Sequence, residues 1–148
     1  MKEITEDYCN LEVSRLLKQA GFRERCGALY ITRGLTSEDY NGEWKLEETK
    51  YNLDWNACDN YISCPTIQRA KKWVREKYKL HVEVNWDIDL DWYFQVKSMT
   101  ETVQFDFLES RVYHAQNETG FDDEDVAANE ALLFVLKKWA VPDSDKTE

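Results

Sequence analysis

"HVEVNWDIDLDWYFQV", residues 81–96, decides the fold. Val82, Val84, Trp86, Ile88, Leu90, Trp92, Phe94 and Val96 occupy one set of alternate positions. His81, Glu83, Asn85, Asp87, Asp89, Asp91, Tyr93 and Gln95 occupy the other. A period of two places successive side chains on opposite sides of a pleated strand, so the run predicts half-buried β structure. Sixteen residues exceed the usual strand length of about 3–10. The Asp-rich centre is the expected bend, which gives two strands, 81–86 and 91–98, joined as a hairpin.

The segment before it changes period. In "SCPTIQRAKKWVREKYKL", residues 63–80, Ile67, Ala70, Trp73, Val74 and Tyr78 share one helical side, an arc of roughly 140°. Pro65 suits a first helical turn, where its missing N–H is not needed. The opposite side carries a basic face of Arg69, Lys71, Lys72, Arg75 and Lys79. That face is a candidate phosphate-binding surface. The simpler expectation is a face solvated or neutralised by the chain's own acids, including Glu83 and the Asp87–Asp91 run.

Further out, "NLEVSRLLKQAGF" spaces Val13, Leu16, Leu17 and Ala20 as a helical stripe over about residues 10–20. Asn10 is placed to cap it, Gly21 to take the left-handed position after it, and Phe22 to fold back. "CGALYIT", 26–32, reads as a strand. Residues 33–60 lose periodicity, apart from an Asn41-Gly42 pair suited to a hairpin turn. A third strand is expected around Val103, Phe105 and Phe107. In "GFDDEDVAANEALLFVLKKWA", acids at the start and lysines at the end complement a helix dipole. Its apolar middle predicts a buried helix. The order implies an α+β fold: a single domain over residues 1–141, about three helices packed on a small, mainly antiparallel sheet. Residues 142–148 read as a flexible acidic tail.

The chain has 148 residues, enough for a sizeable core, with 19 Lys+Arg against 29 Asp+Glu and a net charge of −10. That balance argues against general attraction to nucleic acid or anionic membranes. No apolar run approaches the ~18–20 residues a spanning helix needs, and "MKEITEDYCN" shows no signal-peptide core. A cytoplasmic protein with reduced thiols at Cys9, Cys26, Cys58 and Cys64 is therefore expected.

The familiar catalytic and metal patterns do not fit. Asp87, Asp89 and Asp91 have the spacing of a calcium loop's opening, but Trp92 and Ser98 stand where that loop needs Gly and Glu. Cys58 and Cys64 are too far apart for a zinc pair. No nucleophile elbow, phosphate loop or dinucleotide fingerprint is present. No catalytic residue, metal or cofactor is assigned. The aromatic content of 14% is more informative. Trp73, Trp86, Trp92 and Trp139 fall on faces expected to be buried. Trp44, Tyr51 and Trp55 lie in the aperiodic segment and are the candidate partner-binding aromatics. The competing expectation is that these rings close a satellite core.

Cys64, Pro65, Thr66, Ala70, Lys72, Trp73, Arg75 and Glu76 carry a resemblance. Their block is similar to a Ser-x-Pro-Thr-x-x-x-Ala-x-x-Trp-Leu-Arg-Glu motif in small uncharacterised proteins of phages, prophages and mobile elements of gut bacteria. Cys64 and Val74 replace the motif's Ser and Leu. The opening helix ending in Gly-Phe and the closing "EDVAANEALLFVL" resemble that family's blocks in the same order. The resemblance implies a single-domain α+β fold and a mobile-element origin; it implies no activity and transfers no catalytic residues.

The leading expectation is a non-enzymatic protein-interaction module, binding another protein or itself. The alternatives are a nucleic-acid-related protein, either a basic-helix binder or an acidic DNA mimic, and a small enzyme with an undeclared carboxylate site.

Overall fold

Helix α1 (Leu11–Gln19), strands β1 (Cys26–Ile31), β2 (Lys45–Leu53) and β3 (Tyr61–Ser63), helix α2 (Ile67–Tyr78), strands β4 (Leu80–Asp87), β5 (Asp91–Ser98) and β6 (Gln104–Phe105), and helix α3 (Glu124–Trp139) follow one another along the chain. They come from a computed structural model that describes residues 7–32, 44–89, 91–99, 104–105 and 120–140. The fold is α+β. Its strands divide between two antiparallel sheets, ordered β2-β1-β3 and β4-β5-β6. The chain clusters into two compact units, residues 1–66 with 140–148, and residues 67–139. The tail expected at 142–148 and the turn expected at Asn41-Gly42 lie outside the described residues.

In the first unit, α1 forms where the sequence sets its boundaries. The Asn10 side-chain oxygen accepts from the Val13 N–H at 2.9 Å, satisfying a donor that the first helical turn leaves over. At the other end Gly21 has a φ of 97°. The Gly21 N–H donates to the Lys18 carbonyl and the Phe22 N–H to the Leu17 carbonyl, at 3.1 and 2.9 Å. This is the paired closure of a Schellman ending, and the fully buried Phe22 is its apolar contact. Val13 and Leu17 join Phe22, Ala28, Leu29 and Ile62 in the core of this unit.

Within the aperiodic stretch 33–60, strand β2 forms although no apolar period marks it. It pairs antiparallel with β1, but the register slips between Cys26 and Ala28, whose partners are Leu53 and Glu48. All of β2 is exposed except the half-buried Thr49. Such a strand exists by backbone pairing and has no buried face to imprint on its sequence.

The second unit is built on the β4–β5 hairpin. Leu80 pairs with Ser98, and the register continues without a slip to Asp87 opposite Asp91. Strand β6 adds to β5 through Val96↔Phe105 and Lys97↔Gln104; the Val103 and Phe107 positions lie outside the described residues. Helix α2 packs on β4, and α3 packs on β4, β5 and α2. The buried Ile67, Ala70 and Val74 of α2 and the buried Ala127, Ala131, Leu132, Val135 and Leu136 of α3 form this core with Val82, Phe94 and Val96. Phe94 stacks near Phe121 at 6.1 Å and meets Phe134 at 5.8 Å between ring centroids. Asp123 caps α3 by accepting the Asp125 N–H at 2.8 Å. Pro65, expected in the first turn of α2, stands just ahead of Ile67; its carbonyl accepts from the Cys9 N–H at 3.0 Å.

Helix α2 ends on Lys79, whose φ is 58°. Its N–H donates to the Arg75 carbonyl at 3.0 Å, the single-bond form of a left-handed cap. A side chain with a Cβ is strained there. Lys79→Gly is expected to raise the unfolding free energy by about 0.5–1 kcal/mol. An upward shift of the urea midpoint at constant slope checks it.

Candidate functional site

The alternation that builds β4 and β5 also determines what remains outside the core. Val82↔Val96, Val84↔Phe94 and Trp86↔Trp92 are successive same-side pairs. Val82, Val96 and Phe94 are buried, and Val84 and Trp92 are half-buried. Trp86 is 56% exposed, and Ile88, in the turn, 81%. The expectation that Trp86 lies on a buried face is therefore corrected. The apolar face of the hairpin outruns the two helices that cover it. Trp73, Trp92 and Trp139 are half-buried.

The exposed end is held in shape by its acids. The Asp87 carboxylate accepts the Asp89 N–H at 2.8 Å, a side-chain-closed turn. Asp91 takes a φ of 61°, a conformation that Asp tolerates better than most residues. Just behind, the Trp92 N–H and carbonyl pair with the Phe121 carbonyl and N–H at 3.1 and 2.7 Å, fastening the chain ahead of α3 to β5. The result is an exposed turn in which the apolar Trp86 and Ile88 alternate along the chain with Asp87, Asp89 and Asp91. Among the described residues no group of three or more His, Cys, Asp or Glu side chains is placed to hold a metal ion.

On the polar side of the same hairpin, Glu83 sits 3.2 Å from both the Lys97 ammonium and His81 Nε2. The hydrogen bond from Lys97 holds its carboxyl below the usual range, against the opposing effect of partial burial. Glu83 thus pairs within the sheet rather than with α2. Of the predicted basic face, Arg69, Lys72 and Lys79 are exposed, and Lys71 and Arg75 are half-buried. Among the described residues, no ion pair engages Lys71, Lys72, Arg75 or Lys79.

The aromatics Trp44, Tyr51 and Trp55 belong to the first unit, and no ring contact joins them to one another. Trp44, half-buried ahead of β2, has the Arg15 guanidinium 6.0 Å from its ring. Tyr51, in the slipped part of β2, is 59% exposed, with the Lys50 ammonium 5.6 Å from its ring. Trp55 lies in a 3-10 turn (Trp55–Ala57). Its Nε1–H donates to the Cys26 carbonyl at 2.8 Å, and its ring meets Tyr61 edge-on. Its neighbour Asn56 is buried; it donates to the Phe22 carbonyl and accepts from the Ser63 N–H, both at 2.8 Å. Trp55 and Asn56 thereby tie the turn to β1 and β3.

Sequence spacing does not reveal that distant cysteines share this unit's interior. Cys9, Cys26 and Cys64 are buried and Cys58 exposed, all as free thiols. The Cys64 thiol and the Tyr30 hydroxyl both donate to the Cys9 carbonyl, at 3.3 and 2.9 Å. Burial pushes the Cys64 thiol up to about 12, against the opposing pull of the Ser14 and Tyr30 hydroxyls. The buried Ser14 hydroxyl oxygen has no hydrogen-bond partner among the described residues. Burial, with Cys64 and Cys26 nearby, raises Cys9 well above the ordinary thiol range. A nucleophilic cysteine needs the thiolate, and burial opposes its formation at Cys9 and Cys64.

No protein-family model, curated protein or solved structure matches the chain. No helix among the described residues is long and apolar enough to cross a membrane.

The burial pattern fixes the reactivity of the thiols. A chromogenic disulfide reagent is expected to modify one thiol of the native protein quickly, Cys58, and the other three only as fast as the protein opens. Rapid modification of a second thiol in the folded state would contradict the closed cluster.

Proposed function

We propose that the chain is a non-enzymatic protein-interaction module whose contact surface is the exposed end of the β4–β5 hairpin. The observation that carries this reading is the Trp86–Ile88 tip. Its two apolar side chains are exposed at the end of a regular, core-anchored hairpin whose turn also carries Asp87, Asp89 and Asp91. Trp is the residue type most enriched among energetic anchors of interfaces, and a ring prepositioned on a strand loses little freedom on binding. The buried, proton-retaining thiols support the non-enzymatic half of the reading. The resemblance of the 63–80 block supplies a setting, an accessory protein of a mobile element acting in the cytoplasm.

A photo-crosslinking amino acid at position 88 tests the surface in producing cells. The expected outcome is a discrete protein adduct that disappears when Trp86→Ala is added. The same probe at the exposed Gln19 of α1 should give none. No adduct at 88, or the same adducts at 19 and 88, would remove the tip as a contact surface.

A further inference from the structure

The second unit carries two surfaces of opposite character. One is the hairpin tip: Trp86 and Ile88, 56% and 81% exposed, alternating along the chain with Asp87, Asp89 and Asp91. The other is the outward side of α2, with Lys71, Lys72, Arg75 and Lys79. Within one chain they do not engage each other, since no ion pair reaches these cations among the described residues.

The aromatic contacts sharpen the contrast. Trp44, Tyr51, Trp73 and Trp139 have cations at 6.0, 5.6, 4.8 and 5.4 Å from their ring centroids. Among the described residues no cation stands over Trp55, Trp86 or Trp92. Trp86, the most exposed of these tryptophans, therefore presents an aromatic face without a cation. An indole face attracts Lys and Arg side chains, and the negative charge of the acidic turn that carries it reinforces that preference. The group that suits the tip is a row of Lys and Arg on a firm backbone, with aliphatic stems to lie against Ile88. The α2 face has that composition, and its other side is anchored by the buried Ile67, Ala70 and Val74.

We propose that the hairpin tip of one copy docks on the basic face of α2 in a second copy, with Trp86 and Ile88 against the stems of Lys72 and Arg75 and the tip carboxylates beside their charged ends. This rests on the reading of the tip as the contact surface and names its partner. Charge complementarity favours this occupant, because each surface supplies what the other lacks. The contact is small, in the class of weak and transient interfaces. A reciprocal pair of such contacts would close a two-fold dimer, whereas a single one would build an open chain.

Sedimentation velocity on the full chain and two double variants tests it. Trp86→Ala with Ile88→Ser disables the tip; Lys72→Glu with Arg75→Glu disables the helix face. Circular dichroism and a urea titration confirm that each variant is folded, and Arg75→Gln with Lys72→Gln serves if the charge reversal is not tolerated. The wild type is expected to self-associate with rising concentration. Each variant alone should lose at least tenfold in association constant, and an equimolar mixture of the two should regain association, because each retains the surface that the other has lost. A wild type that stays monomeric to about 1 mM, or variants that remain dissociated when mixed, would overturn the proposal. The crosslinking at position 88 separates the two levels. An adduct with a different protein, together with a monomeric wild type, retains the tip as a contact surface and rejects the second copy as its partner; no adduct rejects both.

Discussion

The uninterrupted pairing of β4 with β5, from Leu80↔Ser98 to Asp87↔Asp91, is the constraint on which the second unit depends. With no bulge in the ladder, the apolar residues cannot change sides. Val82, Phe94 and Val96 must face α2 and α3, and Trp86 must remain on that side after the helices have ceased to cover it. A one-residue slip would exchange the apolar face for His81, Glu83, Asn85 and Tyr93, so the register is strongly specified. The core and the exposed tip are two ends of one pattern.

The first unit uses a different device. Its sheet slips in register and leaves β2 exposed, and polar side chains that reach backbone groups add to its small apolar core. Trp55 holds the Cys26 carbonyl, Asn56 bridges Phe22 and Ser63, and Lys18 Nζ spans the Cys58 and Tyr61 carbonyls at 2.9 and 2.6 Å. Buried backbone groups left without partners are costly, and the Trp55 and Asn56 bonds satisfy such groups, while those of Lys18 lie at the surface. The same economy explains the Cys9 carbonyl, which takes both the Tyr30 hydroxyl and the Cys64 thiol.

Most of this fold is legible in the sequence because its elements carry strong local signals. Asn10 and the Gly21-Phe22 pair bound α1, alternation sets β4 and β5, and acids and lysines mark the ends of α3. Strand β2 was not legible. Leu46 and Tyr51 stand on opposite parities, and a slipped, exposed strand imposes no apolar period. The division into two sheets is likewise a matter of long-range pairing, which periodicity does not encode. The site was half legible. The basic face of α2 follows from spacing, but that Glu83 pairs with Lys97 and His81 instead of with that face is a tertiary matter. Alternation puts Trp86 on the apolar side but does not say how far the cover extends, and Trp86 lies beyond it. Trp55, by contrast, is held by the turn that carries it.

Paired truncations along one face of the hairpin test this division between core and contact surface. Equilibrium unfolding of Phe94→Ala should cost about 3–5 kcal/mol, as for a large side chain lost from a packed interior, while Trp86→Ala, at the uncovered end, should cost under about 1 kcal/mol. If Trp86→Ala destabilised the protein as much as Phe94→Ala, Trp86 would belong to the core, and the hairpin would have no surface set aside for a partner.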